Sequence, residues 1–150
     1  LIDLPPTLLD AAGLPVPPEM QGRSVLSLLR GGANAASTWP DDVFIQISET
    51  EVGRAIRTAR WKYSVVARGV DPVENAWAEN FEESCLYDLF ADPYELTNLI
   101  GFESHRPLAD RLRQRLLTRM AVAGEKLPRI TPALSRPSDQ RRVSPAEIEQ

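Results

Sequence analysis

Leu108, Leu112, Leu116 and Met120 recur every four residues near the end of the chain, with Leu117 beside them. Arg106, Asp110, Arg111, Arg113, Arg115 and Arg119 occupy the other positions. That spacing predicts an amphipathic helix from Ser104 to about Ala123, with Pro107 in its first turn and Gly124 as its stop. A one-sided apolar stripe needs a partner surface, and the chain before it supplies strands. Val43, Ile45 and Ile47 alternate with Phe44, Gln46 and Ser48, a period of two. "GRAIRT" and "WKYSVVAR" follow across Ala59-Arg60, which predicts a tight hairpin on weak turn chemistry. Ile56 and Thr58 share one face, and Trp61, Tyr63 and Val65 alternate beyond the turn. "SCLYDLF" reads as a further strand, and residues 69–83 as a polar surface loop or short helical excursion.

Before the strands, Asp3 is placed to cap a short helix with Pro5 and Pro6 in its first turn, and Gly13 to end it. Ser24 is placed to cap a second, "VLSLLR", and "GGANAASTWPDD" is a loop by composition. From Leu127 onward four prolines and little periodicity predict an extended tail. The expected fold is α+β: a small antiparallel sheet of three to four strands packed against a long C-terminal helix, with short N-terminal helices. The expected divisions are a connector at 1–38, the α+β body at 39–126 and the proline-rich tail at 127–150.

Composition narrows the function. With 43% apolar and 25% charged residues the chain supports a packed core. A net charge of −4 argues against a nucleic-acid partner, and no apolar run is long enough to span a membrane. The single cysteine, Cys85, excludes an internal disulfide framework and fits a cytoplasmic or a periplasmic protein equally. The N-terminus lacks signal-peptide form and an initiator Met, as expected of a fragment whose targeting information lies upstream.

No catalytic set stands out. Cys85 lies in a strand, in phase with Tyr87 and Leu89 and without a neighbouring base, and reads as a packing residue. His105 is the only histidine, which makes neither a zinc site nor a triad. Asp88, Asp92 and Glu95 lie within eight residues, but calcium needs more oxygen ligands at closer spacing. Asp92-Pro93-Tyr94-Glu95 instead has the form of a helix N-terminus, with Asp92 as cap and Glu95 three residues later. Asp88 is expected to face solvent or to pair with an arginine. The basic face of the long helix reads as solvated surface.

Three motifs carry a resemblance. "DLPPTLLDAAGLPVPPEMQGRSVLSLL" (3–29) resembles the segment that joins catalytic core to C-terminal part in sulfatases. "GRAIRTARWKYSVV" (53–66) resembles their Arg-x-hydrophobic-Arg-Thr-x-Arg-x-Lys-Tyr hairpin, with Ala59 where a better turn former is common. "LYDLFADPYELTNL" (86–99) resembles their Leu-Tyr-Asp-Leu-x-x-Asp-Pro-x-Glu-x-x-Asn-Leu signature. The resemblance covers roughly residues 3–123 and is nearest to the arylsulfatase and N-sulfoglucosamine sulfohydrolase branch of the alkaline-phosphatase superfamily.

The resemblance implies a C-terminal, non-catalytic subdomain of a hydrolase acting on sulfate esters or sulfamates. Its partner would be its own N-terminal catalytic domain, which would hold the formylglycine nucleophile and a calcium ion and take a sulfated small molecule or glycan. "ESCLY" does not match the Cys-x-Pro-Ser-Arg motif, so no such role passes to Cys85. The loop Ser48–Arg54 would wall the substrate pocket, with Glu49 and Arg54 as the substrate-binding candidates. A piece cut from such an enzyme would expose an apolar face, and a homodimer would cover it. Phosphonate monoester hydrolases and phosphodiesterases share similar segments, so phosphate chemistry stays open. So does a glycan-binding module that uses Trp39, Trp61 or Trp77.

Overall fold

The computed structural model describes residues 1–31, 39–138 and 142–148. They fall into two compact units, Leu1–Pro40 and Asp41–Gln150. The first unit contains α1, Leu4–Ala11, and α2, Leu26–Leu29. Gly13 takes φ 70° and ends α1, with Leu14 N–H donating to Leu9 O at 2.9 Å. Asp3 does not cap α1. Its Oδ1 instead accepts Arg23 N–H at 2.9 Å, and Thr7 Oγ1 accepts Val25 N–H at 3.0 Å. The polar groups at the start of α1 therefore hold the returning chain. Ser24 does not cap α2, whose N-cap is Val25, but its Oγ accepts Leu26 N–H at 3.3 Å. The centre of the expected 31–42 loop lies outside the described residues.

The second unit is a five-stranded sheet in the order β1-β2-β3-β4-β5, crossed by one long helix. Strands β1 (Asp42–Ser48), β2 (Val52–Thr58), β3 (Trp61–Val66) and β4 (Asn80–Asp88) are antiparallel neighbours. Strand β5, Arg129–Thr131, comes from the expected tail and pairs with β4 in parallel. The sheet thus has one strand more than periodicity suggested, because a three-residue strand is too short to show a period. The β2–β3 turn is as tight as expected. Thr58 Oγ1 accepts the N–H of Arg60 at 3.2 Å and of Trp61 at 2.9 Å, which substitutes for favourable turn residues at Ala59-Arg60.

Helix α3, Arg106–Val122, follows a 3-10 turn at Glu103–His105. Leu108, Leu112, Leu116 and Met120 are all buried, against Ile56, Trp61, Tyr63, Phe81 and Leu86. The register aligns Phe44, Ile56, Tyr63 and Leu86 on that face. Val43, Ile45 and Ile47 point to the other face, where Val43 is 59% and Ile47 38% exposed. Four arginines of α3 are engaged rather than free: Arg106 and Arg113 approach Glu83, and Arg115 and Arg119 pair with Asp42.

Strand β4 changes phase once. Ser64 pairs with Cys85 but Val65 pairs with Glu83, so Ser84 is the extra residue of a bulge. Leu86 and Asp88 face α3 on one side of the bulge, and Phe81 and Glu83 face it on the other. Asn98 serves the open edge beside the bulge. Its Oδ1 accepts Leu86 N–H and Ile100 N–H, each at 3.0 Å, and its Nδ2 donates to Ser84 O at 2.9 Å.

Two expectations for this region are corrected. Asp92-Pro93-Tyr94-Glu95 is a β-turn and not a helix start: Glu95 N–H donates to Asp92 O at 3.1 Å, and Glu95 sits at φ 56°. That left-handed residue stops helical continuation. Asp92 Oδ2 accepts Thr97 N–H at 2.7 Å, and the Glu95 carboxylate pairs with Lys62 at 2.5 Å. Residues 69–79 form turns without a helix, and Phe81 belongs to β4. Asp88 is buried rather than exposed and takes the arginine alternative: it pairs with Arg60 at 2.9 Å and accepts the N–H groups of Phe90 and Ala91.

The tail is tied down at Gly101. Arg136 N–H donates to Gly101 O at 2.9 Å, and Glu103 N–H returns to Arg136 O at 3.2 Å. A Cβ at position 101 would lie 2.6 Å from Leu134 O, and φ is 85° there, so only glycine fits without a shift.

At Glu83, burial pushes the carboxyl up. Hydrogen bonds from Arg106, Ala133 N–H and Tyr63 O–H, with the Arg106 charge, outweigh that and hold it below the ordinary value. A depressed carboxylate stabilises the fold above its unfolded value, about 4.5, and the stabilisation is lost as pH falls through the folded value. Glu83→Gln is therefore expected to lose about 3 kcal/mol in urea unfolding at pH 7. Its deficit against the parent chain should shrink at pH 3. A deficit of equal size at both pH values would refute this account. Asn98→Ala removes the partners of two N–H groups and one carbonyl and should cost about 2–3 kcal/mol. Asn98→Asp keeps the acceptor and should cost less in the same measurement.

Candidate functional site

Helix α3 ends before the sheet does. Gly124 takes φ 79°, and Glu125 N–H closes the helix end onto Met120 O at 2.9 Å. The strand residues beyond Phe44 and Ile56 on this face, Gln46, Ser48 and Arg54, are left to other cover. What surrounds them is the 69–79 loop and the Glu125-Lys126 segment. Together Gln46, Ser48, Arg54, Ala76, Trp77, Glu125 and Lys126 line a groove of about 460 Å³.

Arg54 forms its floor. It is 3% exposed, and its donors are distributed over four elements. Nε meets both oxygens of Glu125, at 2.9 and 3.0 Å. Nη1 donates to Gly53 O at 2.7 Å and Ile47 O at 3.3 Å, and Nη2 donates to Ala76 O at 2.7 Å. The guanidinium thus pins the β1 end, β2, the 69–79 loop and the exit of α3 in one place. A planar, permanently charged fork suits that task better than a flexible ammonium. Gln46 Nε2 also donates to the Glu125 carboxylate.

The groove has two further polar edges. Trp77 is half-buried, and its indole N–H donates to Lys126 O at 3.2 Å, which fixes the ring. Lys126 Nζ lies 5.8 Å from the Trp77 ring centroid. Its ammonium is exposed and has no ion-pair partner among the described residues. Ser48 is exposed at the end of β1. Glu49 lies in the exposed turn between β1 and β2. The two sequence candidates therefore sit at different depths: Glu49 on the rim's outer turn, Arg54 at the floor with its donors occupied. Trp77 is visible in the sequence as a loop tryptophan, but Gln46 and Lys126 are not legible there as its neighbours. Nothing in their spacing shows that α3 stops short of the sheet end.

A smaller cavity, about 210 Å³, lies at the opposite end of β4 and is lined by Asp88, Ala91, Asp92, Thr97, Leu99, Phe102 and His105. His105 is buried, and burial pulls its pKa below the ordinary value, so it is neutral at pH 7. Nδ1 is 2.9 Å from Ser104 Oγ, and Nε2 has no partner among the described residues. Cys85 is half-buried on the sheet face opposite α3, with Ser84 Oγ 3.6 Å from its sulfur. Among the described residues no group of three or more His, Cys, Asp or Glu is placed to hold a metal ion, and no helix is long and apolar enough to cross a membrane.

Comparison with known proteins gives these features a family. Residues 1–122 match the family described as N-sulphoglucosamine sulphohydrolase, C-terminal. The chain is 33% identical over 106 residues to arylsulfatase K of Mus musculus, covering 66% of this chain and 17% of that protein. It is 32% identical over 118 residues to an arylsulfatase of Clostridium perfringens, covering 78% of this chain and 21% of that protein. Among solved structures it superposes with a TM-score of 0.64 and 25% identity on BT4656, determined in complex with its substrate D-glucosamine-2-N,6-O-disulfate. That match covers 79% of this chain and 23% of the other. The chain spans about a fifth of the length of the curated relatives it matches. It belongs to the N-sulphoglucosamine sulphohydrolase C-terminal family, and it is a sulfatase C-terminal domain.

Proposed function

We propose that this domain is the non-catalytic C-terminal part of an enzyme that hydrolyses sulfate esters or sulfamates, where it supports the catalytic core and walls the substrate pocket. The family match over residues 1–122 carries the reading. The described residues offer no ligand set for the calcium ion that sulfatase chemistry implies, and Cys85 stands in "ESCLYD", unlike a formylglycine precursor. Those two groups belong to the catalytic part, which supplies a divalent cation and a nucleophile against an anionic transition state. A sulfated small molecule or glycan is the substrate class, with BT4656 and its disulfated glucosamine as the structural precedent.

Within that enzyme the Ser48–Arg54 hairpin faces the ligand. Glu49 is the exposed contact, and Arg54 is the positioning residue that holds the groove together. The 150-residue chain alone should not turn over an aryl sulfate. Joined to the sequence encoded upstream of it, it should cleave the sulfate ester faster than the matched phosphate ester. Turnover by the chain alone, or a preference for phosphate, would overturn the reading. In the joined enzyme Glu49→Gln is expected to change relative rates across a panel of sulfated substrates several-fold while leaving the thermal midpoint in place. Relative rates that stay fixed would remove Glu49 from the pocket wall.

A further inference from the structure

The groove beyond the end of α3 has the chemistry of a sugar site rather than of a general cleft. We propose that it is a binding subsite for a pyranose ring carrying an anionic substituent, with Trp77 as the platform and Lys126 as the partner of the anion. The proposal deepens the pocket-wall reading and rests on it for the substrate class. It assigns the residues from geometry.

Four observations converge. First, the groove is roomy enough for a monosaccharide, at about 460 Å³. Second, its one aromatic side chain is held rigidly, since the indole N–H is committed to Lys126 O. A fixed indole offers an apolar face at little ordering cost, which suits the C–H face of a sugar ring. Third, its polar edges offer the Gln46 carboxamide oxygen and the Ser48 hydroxyl to vicinal hydroxyls, while Gln46 Nε2 and both Glu125 oxygens are already paired within the groove. Fourth, its two cations differ in availability. Arg54 spends its donors on Glu125, Ile47 O, Gly53 O and Ala76 O. Lys126 is exposed, and among the described residues its ammonium meets only the Trp77 ring. An anionic substituent on the sugar therefore meets Lys126, by a charge-assisted hydrogen bond. Arg54 acts one step back: through Ala76 O and Glu125 it fixes the two segments that carry Trp77 and Lys126.

The test uses the 150-residue chain with glucosamine 6-sulfate and glucosamine as probes. The indole N–H resonances of Trp39, Trp61 and Trp77 are followed by NMR. Glucosamine 6-sulfate is expected to move the Trp77 resonance and leave that of Trp61, which is buried against Glu147 O. Lys126→Gln should weaken the sulfated sugar about tenfold and the neutral one far less. Trp77→Ala should abolish the binding of both, read by calorimetry. An unmoved Trp77 resonance at millimolar probe, or equal affinity in Lys126→Gln, would overturn the subsite. The outcome is separable from the fate of the sulfatase reading. Binding at Trp77 with no sulfate-ester turnover in the joined enzyme would sink that reading and keep this one. Turnover with no Trp77 response would do the reverse.

Discussion

A carboxylate with no exposed side-chain surface, Glu83, joins parts of this domain that lie far apart in sequence. It accepts from Tyr63 in β3, from Arg106 at the start of α3 and from the Ala133 backbone just beyond β5. Sheet, helix and C-terminal chain therefore meet at one charge. Burying a carboxylate is costly unless its lone pairs are taken up, and here three kinds of donor take them. Burial and the Glu83 charge in turn push the Tyr63 phenol upward, so it remains a donor across the physiological range. The arrangement exists only because β4 bulges at Ser84. Unbulged, the alternation that puts Leu86 and Asp88 under α3 would turn Glu83 and Phe81 to the opposite face.

Arg54 plays a matching part at the other end of the helix. Where α3 stops, the sheet face would lie open to water between Gln46 and Arg54. The guanidinium closes that gap by drawing in Ala76 O from one side and Glu125 from the other. The result is a groove with a rigid floor, whose walls are two loops. Rigid floors with loop walls are how folds accommodate new ligands without losing their cores.

Much of this body is legible in the residues. The leucine stripe of α3 and the alternation in β1 to β3 specify a helix on a sheet, because burial of one face leaves its period in the sequence. The tight turn at Ala59-Arg60 follows from the gap between two strand runs. Other features leave no period. A bulge is a one-residue slip, so the phase that places Cys85 with Tyr87 holds downstream of Ser84 and does not extend upstream of it. The Asp92–Glu95 segment has the composition of a helix cap, yet the same Asp and Pro also open a β-turn. The choice is made by Glu95, whose carboxylate goes to Lys62. Glu49 and Arg54 are adjacent to the same hairpin in sequence, but one is solvated and the other is buried. Glu49 lies in the turn, whereas Arg54 lies within β2 on the face that Glu125 and Ala76 cover.

The residues that carry the family signature are spent on the fold. Asp88 receives Arg60 and two backbone N–H groups, Asp92 receives the backbone of Thr97, and Asn98 receives Leu86 and Ile100 while donating to Ser84. Side chains committed to their own backbone are poorly placed to contact a substrate, so "LYDLFADPYELTNL" identifies a scaffold and not a reaction. The groove residues Gln46, Trp77 and Lys126 lie outside the three motifs 3–29, 53–66 and 86–99, and only Arg54 lies inside one of them. Changes at those positions need not disturb the Glu83, Asp88 or Asn98 networks. A domain built this way can hold its fold constant while the groove at the helix end varies, and the physical separation between the two sets of residues is what permits it.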